Sequence, residues 1–158
     1  MFVMRDNTWT VSGFGINTDD IFTSTDVQIA FLKKHFPEEY ETMVDDFKRS
    51  AIDASDTAAY IDFCNEWISN YEDEDSSEGE TGFMVLLAKA IKENECIDVA
   101  YYNGDESGAI LYADRQPWEM TSREKALTKE DLTAIFQKYL GEIGVIGTAD
   151  KYSVKFSD

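Results

Sequence analysis

Proline, cysteine and histidine are scarce in this chain of 158 residues: Pro37, Pro117, Cys64, Cys96 and His35 are all there are. The two cysteines sit inside apolar segments, and neither belongs to a paired-spacing motif. A disulfide framework is therefore excluded, and both are read as buried free thiols. His35 has no cysteine or histidine within a few residues, so a zinc site or a Ser-His or Cys-His mechanism lacks its other members. The expectation is a residue at a helix end that eases the helix dipole. Long apolar runs are missing as well. No stretch approaches the roughly 18 residues of a membrane helix, and Met1 to Asn7 has neither the basic nor the apolar region of a signal peptide. A cytoplasmic protein with no membrane partner is expected.

Positive charge is the most pronounced shortage. Lys and Arg number 14 against 32 Asp and Glu, for a formal net charge of -18. A chain so charged repels phosphates and anionic membrane surfaces, which argues against direct binding of nucleic acid. The imbalance is uneven, because Glu38 to Glu80 holds 15 acids and only Lys48 and Arg49 as bases.

Core-forming residues are present in quantity. Hydrophobic residues make up 43% of the chain and aromatics 13%, and they fall in periodic groups, as a folded domain requires. Phe2, Met4, Trp9 and Val11 alternate around Asp6-Asn7 and predict an opening β-hairpin, broken by Gly13 and Gly15. Thr25, with Gln28 three residues on, predicts a helix start, and Pro37 divides that helix from a second. In the second, Tyr40, Met43, Val44 and Phe47 share one face. Asp56 caps a third, whose apolar stripe runs from Tyr60 to Tyr71. Glu72 to Glu80, with six acids, two serines and a glycine, reads as an exposed loop. A fourth helix carries Phe83 to Ile91. Ile97 to Tyr102 and Ala109 to Tyr112 predict a second hairpin, and Arg115 to Ser122 a loop. Thr128, with Asp131, caps a last helix that stops near Gly141 and Gly144. Tyr152, Val154 and Phe156 alternate with polar residues in a closing strand. The expected fold class is α+β: about five helices packed with small antiparallel hairpins. A single domain is expected over 1–158, with an acidic helical layer at about 26–80 and a hairpin, a helix and a closing strand at about 97–158.

Chemistry-bearing motifs are few. Gly13-Phe14-Gly15 and the series Gly141, Gly144, Gly147 lack the Lys and Ser/Thr context of a phosphate loop. Among 32 acids, pairs at glycosidase spacing arise by chance. Asn103, Asp105, Ser107 and Asp114 fall at positions 1, 3, 5 and 12 of a calcium-loop pattern, with Gly108 at position 6. Asp stands where the bidentate Glu belongs, and no helix pair flanks the loop, so an Asx-rich hairpin turn is the plainer account. Calcium there is the sole cofactor candidate, and no residue is assigned a catalytic role.

Asp62, Glu66, Ser69 and Asp73 line one side of the third helix, and Glu38, Glu41 and Asp45 repeat the pattern on the second. Like charges at i and i+4 destabilise a helix. Ridges of carboxylates spaced about 6 Å apart imitate a phosphate backbone toward a basic groove. A solvated face serving solubility is the bland alternative. The function expected is a non-enzymatic, acidic inhibitor that occupies the basic nucleic-acid-binding surface of a nuclease or defence protein. Antirestriction and anti-CRISPR proteins of phages and mobile elements act in this way. Asp45, Asp62, Glu66, Glu72, Asp73, Glu74 and Asp75 are the expected contact residues. Alternatives are an immunity protein against a basic toxic nuclease, with Trp118 as an aromatic anchor, or a structural or adaptor module. A carboxylate- or metal-dependent enzyme comes last.

Overall fold

A computed structural model of the chain describes residues 8–19, 21–73 and 80–157. Among the described residues the fold is α+β, with six helices and one four-stranded antiparallel sheet. Strand β1 (Thr8–Asn17) is followed by α1 (Thr25–His35), α2 (Pro37–Arg49), α3 (Thr57–Ser69) and α4 (Phe83–Glu95). The chain continues through β2 (Val99–Asn103), β3 (Gly108–Ala113), a 3-10 turn at Pro117–Glu119, α5 (Ser122–Ala126), α6 (Lys129–Glu142) and β4 (Asp150–Ser157).

The helix starts follow the capping residues. The Asp56 side chain accepts from the Ala59 N–H at 3.1 Å. Thr128 and Asp131 exchange a reciprocal pair of bonds at 3.0 and 3.1 Å, forming a full capping box. Helix α1 is capped one residue earlier than expected. Ser24 accepts from Val27 N–H, and Gln28 turns its amide onto the Thr23 hydroxyl. Helices α1 and α2 meet at Pro37, which occupies the first turn of α2. Gly141 lies inside α6, and the helix ends through Gly144, whose φ of 72° is left-handed. Gly144 N–H bonds the Gly141 carbonyl and Val145 N–H the Leu140 carbonyl, the paired closure that a glycine at this position permits.

The strands depart further from expectation. Phe2, Met4 and the Asp6-Asn7 turn lie outside the described residues, while Trp9 and Val11 belong to β1. Instead of separate hairpins there is one sheet of order β2-β3-β1-β4. β1 is flanked by β3 and β4, so Gly13 and Gly15, expected to break the strand, are in its middle. An added Cβ at Gly15 would run into the Ile110 carbonyl, and one at Gly13 into that of Tyr112. The close approach of β1 to β3 is what these glycines serve.

Alternation along the strands gives the sheet two apolar faces. Ile16, Val99 and Ile110 pack with the helices in the main core, where α4 is central. Leu86, Leu87 and Ile91 of α4 are wholly buried, each contributing about 1.5–3 kcal/mol of burial. On the other face Ala109, Leu111 and Val154 form a second, small core with Val11, Tyr102, Tyr152 and Phe156 around it. The β2–β3 turn closes over this side. Asp105 N–H bonds the Lys155 carbonyl at 2.9 Å, and the Ser157 hydroxyl bonds the Asp105 carboxylate at 2.5 Å. A turn from one end of the sheet thereby reaches the strand at the other, so the sheet is curled. None of the described helices is long and apolar enough to cross a membrane.

Candidate functional site

The acids from Glu38 to Glu72 have unequal roles. Glu38 and Glu39 stand in the first turn of α2, where they complement its dipole. Asp46 accepts from the Trp67 indole N–H at 2.9 Å, tying α2 to α3. Asp53 holds the backbone and hydroxyl of Ser55, and Asp56 caps α3. Glu41, Asp45, Asp62 and Glu66 are exposed and form none of these bonds. Among the described residues, no acid between Glu38 and Glu72 lies within 4.0 Å of a basic group. The ion pairs fall elsewhere, on Asp73, Glu95, Asp98, Asp114, Glu124 and Glu142.

Helices α2 and α3 hold these carboxylates on a stiff platform. Phe47 of α2 meets Tyr60 edge-on at 4.9 Å and Phe63 at 5.4 Å. Cys64 and Ile68 are buried beneath α3. Burial pushes the Cys64 thiol up, as suits an inert core thiol. The expected stripe is shorter than its sequence spacing implies. Helix α3 ends at Ser69, so Asp73 has left it, and Asp73 is paired with Lys89 at 3.7 Å. Asp73 is therefore a structural ligand of Lys89. Lys89 also stands 5.5 Å from the centre of the Phe36 ring and donates to the Tyr71 hydroxyl at 3.0 Å. Glu72 is exposed and bridges Thr81 through its backbone. Glu74 and Asp75 lie outside the described residues.

No family model, curated protein or solved structure matches this chain.

Beside Glu66 the surface opens into a cleft of about 480 Å³, lined by Phe63, Glu66, Trp67, Asn70 and Tyr71. The three rings recur four residues apart, a spacing that by itself describes only a core stripe. Glu66 and Asn70, also four apart, form a polar row beside them, and that second row was the available signal.

Three other places account for the remaining candidates. Trp118 is 79% exposed on the 3-10 turn. The segment that carries it is fastened by Glu124, which is 3% exposed. Glu124 accepts from the backbone N–H groups of Thr121 at 3.0 Å and Asp98 at 3.1 Å, and from the Arg115 guanidinium. Burial pushes its carboxyl up. The Thr121 and Asp98 donors, with Arg115, outweigh that and hold it below the usual range.

His35 closes α1 against α4 and α6. Its Nε2 is 2.6 Å from Glu142, and its Nδ1 is 3.1 Å from the Asn94 amide. Both nitrogens are thus engaged in holding three helices together. Nearby, burial and the Glu95 and Glu142 carboxylates push Tyr139 up to about 12, against the Asn94 bond that lowers it. Cys96, expected to be buried, is exposed, because it occupies the left-handed residue (φ 55°) that ends α4.

The calcium-loop pattern is not realised. β3 (Gly108–Ala113) occupies positions 6 to 11 of the motif, which separates Asp114 from Asp105 by about 20 Å of strand. Asn103 ends β2, the Ser107 carbonyl accepts from Gly104 within the turn, Asp105 binds Ser157, and Asp114 pairs with Lys151 at 3.4 Å. Among the described residues no group of His, Cys, Asp and Glu converges as a metal site.

Proposed function

We propose that this protein binds a basic, nucleic-acid-handling protein and blocks it by presenting the α2–α3 carboxylates where phosphates would sit. The observation that carries the reading is the segregation of charge. Glu41, Asp45, Asp62 and Glu66 have neither an ion-pair partner nor a capping role, while the ion pairs among the described residues fall on other acids. Such acids cost folding free energy through mutual repulsion, and a complementary basic surface would offset that cost. The partner is reached through charge, so association falls steeply with ionic strength. No catalytic step and no bound cofactor belong to this reading.

Affinity capture from a host lysate at about 50 mM and about 500 mM salt, with the native chain and with Asp62→Lys plus Glu66→Lys, tests it. A nucleic-acid-binding protein is expected at low salt only, and only with the native chain. A partner retained equally at both salts and by both chains would contradict the reading. It would favour the aromatic-anchored alternative, for which exposed Trp118 is the feature in hand.

A further inference from the structure

We infer that the cleft formed by Phe63, Trp67 and Tyr71 receives an arginine side chain of the basic partner. The inference rests on the reading above and names what that partner must present. The polar ends of two rings are turned away to fixed partners. Trp67 Nε1 donates to Asp46, and the Tyr71 hydroxyl accepts from Lys89. These bonds set the orientation of the rings, which stand 6.2 Å apart at 38°. What they leave for a visitor are aromatic surfaces, which attract a cation.

Glu66 supplies the counter-charge. It is exposed on the cleft's rim, and no base among the described residues lies within 4.0 Å of it. Asn70 donates one amide N–H to the Glu66 backbone carbonyl at 3.0 Å, which holds the amide in place and leaves its oxygen as an acceptor beside the second N–H. A wall of rings beside a carboxylate and an amide oxygen suits a guanidinium, which stacks with its face and donates in a fork from its edge. An ammonium would gain the charge but not the stacking. An apolar side chain would cover Glu66 without pairing it. The molecule already sets a cation against a ring and a carboxylate elsewhere, with the Lys89 ammonium 5.5 Å from the centre of the Phe36 ring. Asp73 balances that charge.

The test uses a peptide alternating arginine and glycine and its lysine counterpart of equal length. Both are titrated into the isotopically labelled full chain at about 50 mM salt, following the tryptophan indole N–H signals. The arginine peptide is expected to bind about tenfold more tightly than the lysine peptide. It should move the Trp67 signal and leave that of Trp118 in place, and Glu66→Gln should abolish the preference. Equal affinities with an unmoved Trp67 signal would overturn the arginine site. In that case, binding that still weakens with salt and with Asp45→Lys plus Asp62→Lys would leave the acidic-face reading standing. Failure of both peptides to bind would overturn both.

Discussion

Glu124 shows what one buried carboxylate does in an acidic protein. It gathers the Thr121 and Asp98 backbones and the Arg115 side chain into one node, so both ends of the Trp118 segment are held by the same residue. Removing one member of a buried pair leaves the other uncompensated. Glu124→Ala is therefore expected to cost about 3 kcal/mol in urea denaturation at neutral pH. The pH dependence has a definite sign. Because the folded-state carboxyl is held below its ordinary value, its stabilisation is complete above the unfolded-state pKa of about 4.3 and is lost as pH falls through the folded value. Glu124→Gln should flatten that acid limb, and an unchanged slope would remove the assigned role. At this scale the sequence shows only local partners. The Thr128–Asp131 box and the Asp56 cap were legible because cap and target are three residues apart. Glu124 was legible only in part: Thr121 and Glu124 have the same box spacing, but the Asp98 donor lies 26 residues away.

Among elements, the helices were legible and the sheet was not, for a physical reason. A helix buries one face at a period written in its own residues, as Tyr40, Met43, Val44 and Phe47 do on α2. β1 instead takes its register from β3 and β4, more than ninety positions downstream at every pair. Gly13 and Gly15 accordingly read as breaks, though they are where the neighbouring backbone comes closest. The α5 helix escaped notice because its five residues bury little beyond Glu124. Glycine substitutions test this account. An added Cβ at Gly15 meets the Ile110 carbonyl, and one at Gly104 meets the Lys155 carbonyl and Val154. Gly15→Ala and Gly104→Ala should each cost about 3 kcal/mol in the same denaturation measurement. Gly141 has nothing within 4 Å, so Gly141→Ala inside α6 should gain about 0.5–1 kcal/mol. Equal effects at the three positions would contradict the close-approach explanation.

For the molecule as a whole, the sequence disclosed the charge and its concentration, and the structure sorts the acids by role. Asp46, Asp53, Asp56 and Asp73 are engaged in holding the fold. Glu41, Asp45, Asp62 and Glu66 are not, and Glu66 borders an aromatic cleft whose rings, Phe63, Trp67 and Tyr71, have the spacing of a core stripe in the sequence. On the proposed function, these carboxylates and a nucleic acid compete for one basic surface. The direct measurement is the fluorescence anisotropy of a labelled duplex bound to the captured partner, as this protein is added. The account predicts that the duplex is displaced, with the required concentration rising steeply with salt and rising again for Asp62→Lys plus Glu66→Lys. A stable ternary complex, with the duplex and this protein bound together, would contradict it.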